Sequence, residues 1–170
     1  MFKWQFEATL HYLDVGMVLA FASEGLLSEE EDFFTECYEL LSELFQKYSS
    51  EVCKKRNEAY FTLTNLFRVY APEIVKSCCE VILSSRKILF VKKCGRMLRV
   101  LNNAGKTLIP GNLEITEQLI CKAWKESSEK ISSDQSLLED FKKLINAPRE
   151  TESGNVAALI NSRFYSTSYK

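Results

Sequence analysis

The stretch Ser28 to Tyr48, SEEEDFFTECYELLSELFQKY, decides the fold class. Phe33, Phe34, Cys37, Leu40, Leu41, Leu44, Phe45 and Tyr48 recur three and four residues apart, the spacing of an amphipathic α-helix with one buried face. Ser28 stands three residues before Glu31, the spacing of a capping box. There the serine oxygen accepts the third amide and the glutamate reaches back to the serine's own backbone amide. Glu29 to Asp32 would also sit at the positive end of the helix dipole.

The same period extends in both directions. Upstream, Phe6, Leu10, Leu13, Met17 and Phe21 predict a first helix over Phe2 to Ala22, and Phe2, Trp4, Tyr12, Val18 and Leu19 widen its apolar surface enough to place it at the centre of the fold. Downstream, Ser49-Ser50 breaks the pattern. Val52, Ala59, Tyr60, Leu63, Leu66, Phe67 and Tyr70 then predict a third helix, Glu51 to Tyr70. Pro72 opens a fourth, to about Ser85, because proline is tolerated where the amide needs no partner. A fifth spans Lys87 to Asn103. Lys106 to Asn112, with Pro110-Gly111, is expected to be a loop. Leu113 to Ile131 and Asp134 to Asn146 supply a sixth and a seventh, the latter capped by Ser133 or Asp134.

The expected fold is therefore all-α: a compact antiparallel bundle of about seven helices plus a short C-terminal helix. A short armadillo- or HEAT-like stack is the alternative, although no residue signature repeats at a fixed period. The expected organisation is a helical domain over 1–146, a polar linker over 147–154 (APRETESG) and a C-terminal helical tail over 155–170. In the tail Val156, Leu159, Ile160 and Phe164 share a face. Such a tail could dock on its own domain, on a second copy to make a homo-oligomer, or in a partner's groove.

Bulk composition agrees. Apolar residues are 46% and charged residues 26% of 170, with only six Gly and three Pro. A chain of this length needs no crosslink to hold a core. The longest apolar run, Val15 to Ala22, is far short of the ~20 residues a membrane span requires. Cys37, Cys53, Cys78, Cys79, Cys94 and Cys121 are irregularly spaced inside helical patterns, and two of them are adjacent. They are expected to be free thiols in an intracellular, cytoplasmic or nuclear, compartment.

Several chemistries are disfavoured. Gly105-Lys106-Thr107 has the end of a phosphate-binding loop, but Val100 stands where the motif needs its first glycine, and a helix precedes instead of a strand. A single histidine, His11, is too few for a di-iron bundle, and no CxxC pair exists for a zinc finger. A nucleophilic pairing of His11 with a cysteine has no local support. No cofactor, no metal and no enzymatic activity are expected.

The feature left over is charge segregation. Glu24 to Glu51 contains nine acids and one base, Lys47. Val81 to Leu113 contains seven bases and no acid. On the fifth helix, Lys92, Arg96, Arg99 and Lys106 fall within about 80° of arc at ~100° per residue, opposite an apolar face. The expected function is a non-catalytic interaction or adaptor module that binds another protein through a helical groove or through this basic face. Lys92, Lys93, Arg96 and Arg99 are the candidate contacts, and an acidic partner segment is the expected ligand. The alternative is nucleic acid or anionic lipid on the same face. A net charge of −1 and the lack of interleaved aromatics disfavour nucleic acid.

Overall fold

The computed structural model describes residues 15–49, 54, 58–109, 113–129 and 133–168, and every element among them is helical. In chain order these are α1 (Val15–Gly25), α2 (Glu31–Ser42, continued by a π-helical turn over Glu43–Tyr48), α3 (Glu58–Ser84), α4 (Ile88–Leu108), α5 (Leu113–Ser127), α6 (Gln135–Ile145) and α7 (Glu150–Ser168). They form the expected all-α bundle. Trp4 and His11 lie outside the described residues.

Among the described residues the centre belongs to α4; Phe2 to Asp14 of the expected first helix lie outside them. Phe90, Val91, Cys94, Met97, Leu98 and Leu101 are buried on one side of α4, and Gly95, Asn102 and Ala104 on others. Helices α2, α3, α5, α6 and α7 all pack on it. By contrast, α1 packs mainly against α2 and α3 among the described residues. Leu19 and Ala22 supply its buried face, and Ser23 Oγ lies 3.4 Å from Ser77 Oγ. That register turns Met17 and Phe21, expected in the core, outward at 70% and 61% exposure.

The stripe of α2 is buried as its spacing predicts. Phe34, Cys37, Leu41, Leu44 and Phe45 are interior, and the Phe34 ring stacks on Phe90 of α4 at 4.0 Å. Burying each of these large side chains contributes roughly 1.5–3 kcal/mol. The capping box does not form. The Glu30 amide donates to Ser28 Oγ at 3.1 Å, and the helix begins at Glu31, with extended Glu30 at the cap position and no side-chain cap bond. The preceding turn is held by fully buried Leu26, so the serine closes a tight local turn two residues early.

Pro72 does not divide two helices, because α3 runs through it for 27 residues. Phe67 and Ala71 before the proline, and Ile74, Val75 and Cys78 after it, are all fully buried. Interior contacts on both sides outweigh the ~3 kcal/mol cost of proline in a helix. The carbonyl that loses its donor belongs to exposed Arg68, where water can reach it.

Helix α4 continues to Leu108, so Gly105-Lys106-Thr107 is helix and not loop. Its end is held by the Tyr60 hydroxyl, which donates to Leu108 O at 2.9 Å. The stretch read as linker is helical from Glu150, with Ser153 fully buried and Gly154 buried. Asp134 caps α6 as expected: its Oδ1 accepts the Ser136 amide at 2.9 Å.

Candidate interaction groove

The segregated bases of α4 do not form a bare outer face. Lys92, Lys93, Arg96 and Arg99 are all half-buried: α7 lies antiparallel along Lys92, Arg96 and Arg99, and α2 meets Lys93. The approach is close where side chains are small. A Cβ on Gly95 would stand 2.6 Å from Ala157 Cβ and 2.8 Å from the Ser153 carbonyl oxygen. A Cβ on Gly154 would stand 3.4 Å from Lys92 Cβ and 3.5 Å from Arg96 Nε. Asn161 of α7 donates to Ile82 O at 2.8 Å and Ser85 O at 3.0 Å, satisfying the last carbonyls of α3. The tail thus docks on its own chain.

Three of the segregated bases have polar partners nearby. Arg99 Nε donates to Ala147 O at 2.7 Å and Nη2 to Pro148 O at 3.1 Å, clamping the connection from α6 to α7. Lys93 Nζ reaches Thr35 Oγ1 at 3.4 Å and lies over the Tyr38 ring at 5.5 Å. Lys87 Nζ donates to the Glu29 carbonyl, not to its carboxylate. Arg96 Nε is buried without a hydrogen-bond partner among the described residues.

A different basic surface lies at the C-terminal end of α4. A groove of about 890 Å³ runs between that end, α5 and α6. Lys106, Lys122, Lys125 and Lys142 border it, and Cys121 and Leu138 supply its apolar floor. The walls are set by packing: Trp124 of α5 is fully buried and stacks on Phe141 of α6 at 4.2 Å, so it anchors the core and not an interface. One end is fixed by Asn146, whose Oδ1 accepts from Asn102 Nδ2 at 3.3 Å and Lys106 Nζ at 3.2 Å.

Two carboxylates also line the groove, Glu117 and Glu126. They make only loose pairs, Lys142 with Glu117 at 4.0 Å and Lys122 with Glu126 at 3.9 Å. Both pairs are solvent-accessible, where such bridges contribute little. Lys106 meets a neutral amide, and Lys125 has no carboxylate within ion-pair distance among the described residues. Among the described residues the groove therefore keeps a positive surplus.

The described thiols are free and buried. Burial pushes the Cys121 thiol up to about 11, assisted by Glu117 and opposed by Lys142 and Lys125. Burial likewise raises Cys37 and Cys78, and takes Cys79 to about 12. All four stay protonated near neutrality, the unreactive form. Among the described residues no three His, Cys, Asp or Glu side chains are grouped to hold a metal ion, and no helix is long and apolar enough to cross a membrane. No protein-family model, curated protein or solved structure matches the chain.

Proposed function

We propose that the chain is a non-catalytic interaction module that takes an acidic segment of a partner protein into the lysine-bordered groove between α4, α5 and α6. One observation carries this. Four ammonium groups from three helices surround one groove that holds two carboxylates, and its floor is apolar. Cations around a hydrophobic floor suit a segment that alternates acidic and apolar side chains. The charges steer the encounter and the apolar anchors supply the affinity. The protonated thiols are consistent with a non-catalytic role.

Among the bases of α4, Arg99 supports this site indirectly, by clamping the α6–α7 connection, while Lys92 and Arg96 lie against Gly154 of α7 and Lys93 reaches α2. Phosphate polymers are the competing ligand class, and the overall charge of −1 weighs against them.

Fluorescence anisotropy with a labelled peptide of alternating Glu and Leu tests the proposal. Binding should be lost in the double variant Lys122→Glu/Lys125→Glu and kept in Lys76→Glu, on the exposed face of α3. Equal binding by all three proteins, or tighter capture of a labelled oligonucleotide than of the peptide, would contradict it.

A further inference from the structure

A second charged surface, this one acidic, lies on α2. On α2, Asp32, Glu36 and Glu39 are exposed and fall within about 60° of arc at ~100° per residue. None makes an ion pair among the described residues. Beside this stripe lies an apolar element. The Phe21 ring of α1, 61% exposed, packs edge-on against half-buried Phe33 of α2 at 5.5 Å. The face thus presents an aromatic anchor next to a row of carboxylates. The groove presents an apolar floor next to ammonium groups.

Within one molecule the two surfaces cannot meet. Helix α2 lies along the N-terminal half of α4, where Thr35 meets Lys93, while the groove begins at Lys106. The rise from Lys93 to Lys106 is roughly 20 Å. Two complementary surfaces at opposite ends of one central helix are satisfied by a neighbouring molecule.

We infer that the α1–α2 face, Phe21 with Asp32, Glu36 and Glu39, docks into the lysine-bordered groove of a second copy of this chain. This rests on the groove reading above and names its partner. The contact is heterologous: each molecule offers its acidic face at one end and its groove at the other. The product is a closed ring if the rotation permits, and otherwise an open chain that grows with concentration.

Sedimentation equilibrium tests this at about 100 µM protein, in about 50 mM and about 500 mM salt. The wild-type chain should self-associate at low salt and dissociate at high salt. Glu36→Lys/Glu39→Lys and Lys122→Glu/Lys125→Glu should each be monomeric and retain wild-type helicity by circular dichroism. Mixed together, they should associate again, because the first keeps an intact groove and the second an intact acidic face. Phe21→Ala should weaken the wild-type association about tenfold. Should a double reversal unfold, the single changes Glu39→Lys and Lys125→Glu give the same comparison.

A wild-type chain that stays monomeric at low salt overturns the inference, as does failure of the two folded variants to pair. A monomer that still binds the Glu/Leu peptide sinks only the second-copy inference. A monomer that binds neither sinks the groove reading as well.

Discussion

The Cα of Gly95 faces Ala157 so closely that a Cβ there would lie 2.6 Å from the alanine methyl. This approach lets α7 cover the basic side of α4, and it turns a charged stripe that looks like a free surface into an internal helix–helix seam.

Gly95→Ala should therefore destabilise the fold by about 1–3 kcal/mol through overpacking. The companion change Ala157→Gly should not restore it fully, because the Ser153 carbonyl would still stand 2.8 Å from the new methyl. Urea denaturation of the two variants checks this. A neutral Gly95→Ala would mean that α7 sits farther from α4 than described.

Arg99 and Arg96 should behave oppositely although they lie one turn apart. Arg99→Ala loses two charge-assisted bonds to the Ala147 and Pro148 carbonyls. It should cost about 1–2 kcal/mol, discounted for partial exposure, and open the α6–α7 connection to limited proteolysis. Arg99→Lys should not rescue it, since one ammonium cannot replace the two-pronged contact. Arg96→Met should be within about 0.5 kcal/mol of wild type or stabilising, because it removes a buried Nε that has no partner. Equal losses at the two positions would contradict their different roles.

How much of this was legible in the sequence depended on whether the cause was local. Asp134 caps α6 through an amide two residues away, and the stripe Phe34, Cys37, Leu41 is buried as its spacing requires. Pro72 misleads because the contacts that keep α3 continuous come from other helices. Ser153, Gly154 and Ala157 look like linker or neutral filler by composition. Their smallness is what admits α4, and smallness carries no amphipathic signal. The groove was not legible at all: Lys106, Lys122, Lys125 and Lys142 come from three helices and share no motif.

The buried thiols contribute to the loss of stability at alkaline pH. In the unfolded chain they ionise near the ordinary value of 9.0, whereas burial holds Cys79 to about 12 and Cys121 to about 11. The folded state therefore holds protons that the unfolded state has released. The stabilisation is complete below pH 9 and falls away as pH rises toward 11–12. Cys79→Ala should flatten the decline measured by denaturation from pH 8 to 11. An unchanged slope would contradict the assignment.

Asp134 acts on the acid side. The Ser136 hydroxyl and the backbone amides hold its carboxyl below the usual value. A lowered folded-state value contributes stability above the unfolded carboxylate range, lost as pH falls through it. Asp134→Ala should lose stability at neutral pH and show a shallower decline below about pH 4. Parallel pH profiles for the two proteins would rule out the cap as the cause.

We propose that an acidic partner segment enters the groove between α4, α5 and α6, while α7 lies along Lys92, Arg96 and Arg99 of the α4 stripe. Amide chemical-shift mapping with the Glu/Leu peptide tests it most directly. Perturbations should gather at Cys121, Lys122, Lys125 and Leu138, with Lys92, Arg96 and the Ser153–Ala157 turn unmoved. Perturbations centred on Lys92 to Arg99, accompanied by release of α7, would contradict it.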